Sequence, residues 1–276
     1  MSACFSQLHA ARAWSTVELD ALLSSVLQDR IAPHELADVL RALQAQPLDT
    51  GLAARFVGAV RRTWPVRALP GAEHAVNIVG SGGGARTFNI STSAAFVAAA
   101  AGARVLKSGS RSYHGASGSL DVLQVLGVFM PSSAEGLSEM LEDCSVAFVS
   151  TPHYAPVLGH MARRLGLQSF REVGGFINRV GPLLCPYEVR AQLIGASSRA
   201  LFETYAQLAG RLSLPPTLVV HCDAGVDELT TCGVNHGCWL EGSRRRAVAV
   251  SARLPPARTP SRRHHAWPTK PRSALR

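Results

Sequence analysis

The chain has 276 residues, enough for one large or two ordinary domains with a real core. Hydrophobic residues make up 47% and aromatics 6%, which fits an Ala/Leu/Val-rich α/β protein, and no apolar run reaches the length of a membrane span. The start lacks a basic segment followed by an apolar one, so a cytoplasmic protein with no membrane partner is expected.

Residues 17–62 read as helices. Val17–Gln28 has apolar positions at helical spacing, with Thr16, Glu18 and Asp20 at its start. Pro33–Gln44 repeats the pattern, with Pro33 suited to a first helical position. Thr50–Thr63 gives a third helix carrying Leu52, Phe56, Val57 and Val60. Pro65 and Pro70 then mark a linker. Val76–Val79 is a short apolar strand running into Gly80-Ser81-Gly82-Gly83-Gly84. Ser91–Ala101 reads as a small-residue helix and Ala103–Leu106 as a second strand. Asp121–Leu126 is helical, Val146–Ser150 a strand, Ala155–Leu165 a helix and Leu218–His221 a buried strand. Strands alternating with helices predict a mainly parallel sheet covered on both faces. Ligands of such sheets bind beyond the carboxyl ends of the strands, where the loops after Val79, Leu106, Ser150 and His221 lie.

The net charge of +9 is concentrated at one end. From Ser243 onward there are ten Lys/Arg and no Asp or Glu, while the remainder holds 18 basic against 19 acidic residues. With Pro at 255, 256, 260, 268 and 271 and no apolar period, residues 243–276 are expected to be a disordered basic tail. The six cysteines form no CxxC pair. His221, Cys222, Cys232, His236 and Cys238 crowd together, but their spacing matches no common zinc module, and free thiols are the expectation.

Three clusters carry chemistry. Gly80–Thr92 sits between a strand and a helix, and its glycines let backbone N–H groups turn toward an anion. The helix that follows begins near Ser91 and adds its N-terminal N–H groups, while Asn89, Ser91 and Thr92 add side-chain donors. Taken alone, a glycine-rich turn is as often a flexible connection; the Asn-Ile-Ser-Thr run at a helix start points to phosphate. The second cluster, Lys107–Ser119, also follows a strand, with Lys107 and Arg111 for charge and Ser112, Ser117 and Ser119 for hydroxyls. Two such loops on neighbouring strand ends imply a ligand with two separated phosphate groups. The third, Asp223-Ala-Gly-Val-Asp227-Glu228, offers carboxylates for Mg²⁺ beside a polyphosphate, although a solvated acidic helix start would read the same.

Asn77–Thr92, Lys107–Asp121, Asn178–Pro186, Gln192–Gly195 and Leu218–Glu228 fall in the order seen in anthranilate phosphoribosyltransferases, and residues 15–242 resemble that family. The resemblance implies an α/β fold in which a small N-terminal helical domain (1–68) packs on a larger, mainly parallel-sheet domain (69–242), usually as a homodimer. It implies Mg-dependent transfer of a phosphoribosyl group from phosphoribosyl pyrophosphate to anthranilate or a related aromatic amine, as in tryptophan biosynthesis. By position it puts Gly80, Gly82, Gly83, Thr87, Asn89, Ser91, Thr92, Lys107 and Ser119 on the donor, and Ser91, Asp227 and Glu228 on Mg²⁺. Gly80, Ser110 and Arg163 would meet the acceptor, with no residue assigned as acid or base. The chain departs from the family at Gly84, where the pattern has Asp, and at Ser110, where it has an acceptor-contacting Asn. It carries an insertion around Gln168–Val173 and replaces the family's continuation beyond Gly242 by the basic tail, so the last part of the sheet domain is expected to be missing. The alternatives are a non-catalytic homologue that binds nucleic acid through the tail, or an inactive truncated product.

Overall fold

The computed structural model describes residues 14–45, 47–81, 88–109, 118–231 and 233–250. Three helices open the fold: α1 (Thr16–Leu27), α2 (Pro33–Gln44) and α3 (Thr50–Thr63). Their starts are chemically fixed. Ser15 accepts the Glu18 N–H while the Glu18 carboxylate accepts the Ser15 N–H, a reciprocal capping box. Pro33 occupies the first turn of α2, and the Asp49 carboxylate caps α3 by accepting the Leu52 N–H at 2.6 Å.

Leu19, Leu22 and Val26 of α1, Leu36 and Leu40 of α2, and Phe56 and Val60 of α3 close one apolar core. That core also takes Val157 and Met161 from α7 (Pro156–Val173) and Phe176 from α8 (Gly175–Val180). The Phe56 and Phe176 rings meet edge to face at 5.1 Å. The helical unit is therefore discontinuous, residues 156–180 joining the 1–68 segment that the sequence assigned to it. The Gln44 side chain fastens the join, donating to the Glu172 carbonyl at 2.7 Å and accepting the Gly175 N–H at 2.9 Å. Gly166, at φ 69, kinks α7, and the expected insertion around Gln168–Val173 forms its last turns.

The sheet has seven strands in the order β3-β2-β1-β4-β5-β6-β7. They are β1 (Val76–Gly80), β2 (Val105–Ser108), β3 (Val146–Val149), β4 (Ala191–Gly195), β5 (Thr217–Cys222), β6 (Asn235–Glu241) and β7 (Arg244–Ala249). The first five run parallel, and β6 and β7 are antiparallel. On one face α4 (Ile90–Ala100) and α5 (Ser119–Val125) bury Ala95 and Leu123 with Val105, Val146 and Phe148. On the other, α6 (Ala134–Cys144) sets Leu137 and Leu141 against Leu106, Ala147 and Val149. Helix α9 (Arg199–Arg211) covers the β5 side. After β1 the chain steps outward to β2 and β3, then returns to pair β4 along the opposite side of β1. This is the strand-order reversal at which open α/β sheets bind ligands.

One expectation is corrected at the C-terminal end. The tail expected to lack structure from Ser243 begins as β7, paired along β6 from Glu241↔Arg244 to His236↔Ala249. Gly242, at φ 56, supplies the left-handed residue that a two-residue hairpin needs. The rest of the proposed tail, from residue 251, lies outside the described residues.

Candidate active site

Strands β1 and β4 end in register at Gly80 and Gly195. A Cβ on either glycine would collide with Asp227, with its carboxylate at Gly80 and with its backbone carbonyl at Gly195. Two strand ends without side chains thus make the seat for the loop after β5. The loops after β1 and β4 are tied together as well: the Ser81 N–H donates to the Gly195 carbonyl, and the Ser197 N–H donates to Ser81 Oγ at 3.0 Å.

On the other side of β1, the end of β2 delivers a buried cation. Lys107 is 3% exposed and donates to the Ser108 carbonyl. Burial pulls its pKa down to about 8, with the Asp227 carboxylate opposing that shift. Ser108 Oγ donates to Asn77 Oδ1 at 2.8 Å, and the Tyr154 hydroxyl is hydrogen-bonded with Ser108. Burial holds the Tyr154 hydroxyl well above its ordinary value, so it stays protonated.

These groups open into a cavity of about 810 Å³ between the helical unit and the carboxyl edge of the sheet. Gly80, Asn89, Ser91, Lys107, Ser119 and Asp227 all line it. Thr92 does not line the cavity; it is buried, with no hydrogen-bond partner for its hydroxyl among the described residues. Glu228, half-buried, does not line the cavity. Arg163 is also absent from the wall; it is exposed on α7 beside His160. Gly82, Gly83, Thr87 and Ser110 lie outside the described residues, as do Gly84, Arg111, Ser112 and Ser117.

The crowded His/Cys region holds no group of three or more His, Cys, Asp or Glu placed to bind a metal among the described residues. His221 Nδ1 meets the Ala196 carbonyl at 2.9 Å, and His236 Nε2 meets Asp223 at 2.7 Å. Cys144, Cys185, Cys222 and Cys238 are free thiols.

Residues 72–257 match the family model described as glycosyl transferase family, a/b domain. The chain belongs to that family. Within the glycosyl transferase family it is similar to the anthranilate phosphoribosyltransferase of Chloroflexus aggregans, at 35% identity over 82% of this chain and 65% of the relative. The chain therefore spans about two thirds of the length of the curated relatives it matches. Among solved structures, the Thermus thermophilus anthranilate phosphoribosyltransferase aligns with a TM-score of 0.71 and 28% identity, over 90% of this chain and 73% of that one. The Saccharomyces cerevisiae protein of the same name, solved in complex with PRPP and Mg, aligns at 0.68 and 25%, over 85% and 68% of the two chains.

The family fold places several cavity residues that the sequence reading did not single out. Ser197 follows β4, Tyr154 follows β3, and Gln44 and Arg179 come from the helical unit. Of these only Arg179 carried a signal, as part of the Asn178–Pro186 family motif.

Proposed function

We propose that the chain transfers a phosphoribosyl group from phosphoribosyl pyrophosphate to an aromatic amine of the anthranilate type, releasing pyrophosphate. The observation that carries the proposal is the seating of Asp227 against Gly80 and Gly195 at the strand-order reversal, in one cavity with Lys107 and the start of α4. An anion lodged there meets helix N–H groups, the Ser91 and Ser119 hydroxyls and a buried ammonium. Its cation partner would be Mg²⁺. Oxygen donors from Asp227 and Ser91 in one cavity suit a hard ion, and a site with one lining carboxylate leaves positions for substrate phosphates and water.

In this reading Lys107 and the α4 start hold the pyrophosphate, and Asp227 and Ser91 would hold Mg²⁺, which would supply positive charge opposite the leaving group. The acceptor nitrogen attacks the ribose carbon as the bond to pyrophosphate oxygen breaks, and the departing pyrophosphate keeps the electron pair. The surplus amine proton passes to solvent or to pyrophosphate. Most of the rate gain then comes from positioning and electrostatics rather than acid–base chemistry. Glu228 belongs to the proposal as the second carboxylate of the Mg²⁺ site, and Gly82, Gly83, Thr87 and Thr92 as parts of the donor loop. A cytoplasmic homodimer completes the picture; free thiols fit a reducing compartment. Pyrophosphate release that requires both Mg²⁺ and an aromatic amine is the expected result. Release at the same rate without amine would refute it.

A further inference from the structure

A second cavity, of about 250 Å³, lies at the junction between the helical unit and the sheet. The chain passes between those two units at 64–67, 152–156 and 184–186, and all three passages line the cavity. Each passage carries proline, at Pro65, at Pro152 and Pro156, and at Pro186, and the fixed φ of these residues stiffens the walls. Tyr154 lines this cavity as well as the larger one.

The charge of this cavity is one-sided. Arg61 from α3 and Arg67 from the first passage stand in its wall, with no Asp or Glu among the described lining residues. Arg61 is half-buried. Its Nη1 and Nη2 donate to the carbonyls of Leu212 at 3.2 Å and Leu183 at 3.0 Å, and its Nε is buried without a partner among the described residues. Arg67 Nη2 donates to the His153 carbonyl at 2.8 Å, and the guanidinium lies over the Tyr187 ring at 4.9 Å. The Arg67 N–H also donates to the Pro186 carbonyl, so this residue ties all three passages together. Neither arginine makes an ion pair among the described residues. Burial draws the Arg61 pKa down, yet a guanidinium stays charged at any working pH. The neighbouring Cys185 thiol supplies no counter-charge, because burial pushes it up to about 11.

We propose that this junction cavity binds a small phosphate-type oxyanion, with Arg61 and Arg67 answering its charge. Planar guanidinium forks match phosphate oxygens through paired N–H donors, and the anion supplies the counter-charge that the wall lacks. The volume falls below the roughly 300–1,000 Å³ of drug-sized ligand sites, which suits an inorganic anion better than a nucleotide. Tyr154 connects the site to the larger cavity, since its hydroxyl is hydrogen-bonded with Ser108, the residue after Lys107. The site is separate from the donor cavity and does not rest on the transferase reading.

The test reads the cavity wall directly. The unaltered chain is titrated with inorganic phosphate and, separately, with pyrophosphate, while NMR follows the Nε–H resonances of Arg61 and Arg67 and the indole N–H of Trp64, a further wall residue. These resonances should move together and saturate below about 10 mM anion, and chloride at equal ionic strength should leave them in place. Arg67→Gln should weaken binding read at Arg61 and Trp64 by about tenfold or more, and Arg67→Lys by less. Lys107→Gln, which alters the larger cavity, should leave that affinity within about twofold. Tighter binding of pyrophosphate would make the occupant a polyphosphate and tighter binding of phosphate a free phosphate, and either order supports the site. No movement at Arg61 and Trp64 in the unaltered chain would overturn the proposal, even where Arg67→Gln does not fold. Unchanged affinity in a folded Arg67→Gln would overturn it too, as would a loss in Lys107→Gln equal to that in Arg67→Gln, which would put the anion in the larger cavity.

Discussion

The Asp227 carboxylate lies so close to Gly80 that a Cβ on that residue would collide with its Oδ2. Gly195, on the adjacent strand, is closed to a side chain by the same residue's carbonyl. Neither glycine has a positive φ, so what they supply is space rather than an unusual backbone conformation.

Substitution at the strand ends should therefore be felt at the site. Gly195→Ala forces the Asp227 backbone away, at about 1–3 kcal/mol for overpacking. It is expected to lower the melting temperature and to weaken Mg-dependent donor binding by about tenfold, or about 1.4 kcal/mol. Calorimetric titration with phosphoribosyl pyrophosphate reads the second effect; unchanged affinity would mean that the Asp227 position does not matter to the donor.

Asp227→Asn keeps the shape of the side chain and removes its charge. Donor affinity measured with and without Mg²⁺ should differ in the unaltered chain and converge in the variant. Glu228→Gln, which alters a residue outside the cavity wall, is expected to weaken the Mg²⁺ dependence less. Equal loss in both variants would show that the two carboxylates act as a pair.

Lys107 gives the site a pH dependence of known sign. Its folded pKa is lowered from 10.5 to about 8, so the ammonium that attracts phosphate is present below about pH 8 and lost above it. In the unliganded protein, donor affinity should fall about tenfold between pH 7 and pH 9, because each pH unit beyond the pKa removes about nine tenths of the remaining cation. Stability should move the other way. Between about 8 and 10.5 the unfolded chain holds a proton that the folded chain does not, so stability rises with pH across that window. Lys107→Arg should flatten the affinity profile, and a profile unchanged by that substitution would assign the pH dependence elsewhere.

The β7 strand predicts slow amide exchange within Arg244–Ala249, where the segment pairs with β6. Mass-resolved hydrogen exchange checks it. Complete exchange across 244–249 within seconds would restore the disordered tail expected from composition.

The local features of the site were legible in the sequence. A capping box, Pro33 and Asp49 set the three opening helices within a residue of their expected starts, because helix termini are decided by side chains within one turn. The apolar run of β1, the glycine that ends it and the small-residue helix after it were equally local, and so was the buried strand leading to Asp227. Tertiary structure decided what these features meet. Gly80 and Gly195 are far apart in the chain and become neighbours only because β4 returns to the opposite side of β1. Arg179 and Gln44 reach the cavity only because α7 and α8 join the opening helices. Strand β7 was hidden for a different reason. Its residues are largely exposed, so no apolar alternation marks them, and the strand exists through backbone pairing with β6. Side-chain chemistry writes helix ends and glycine turns into a short stretch of sequence, whereas strand order and cavity walls depend on long-range packing that no short stretch contains.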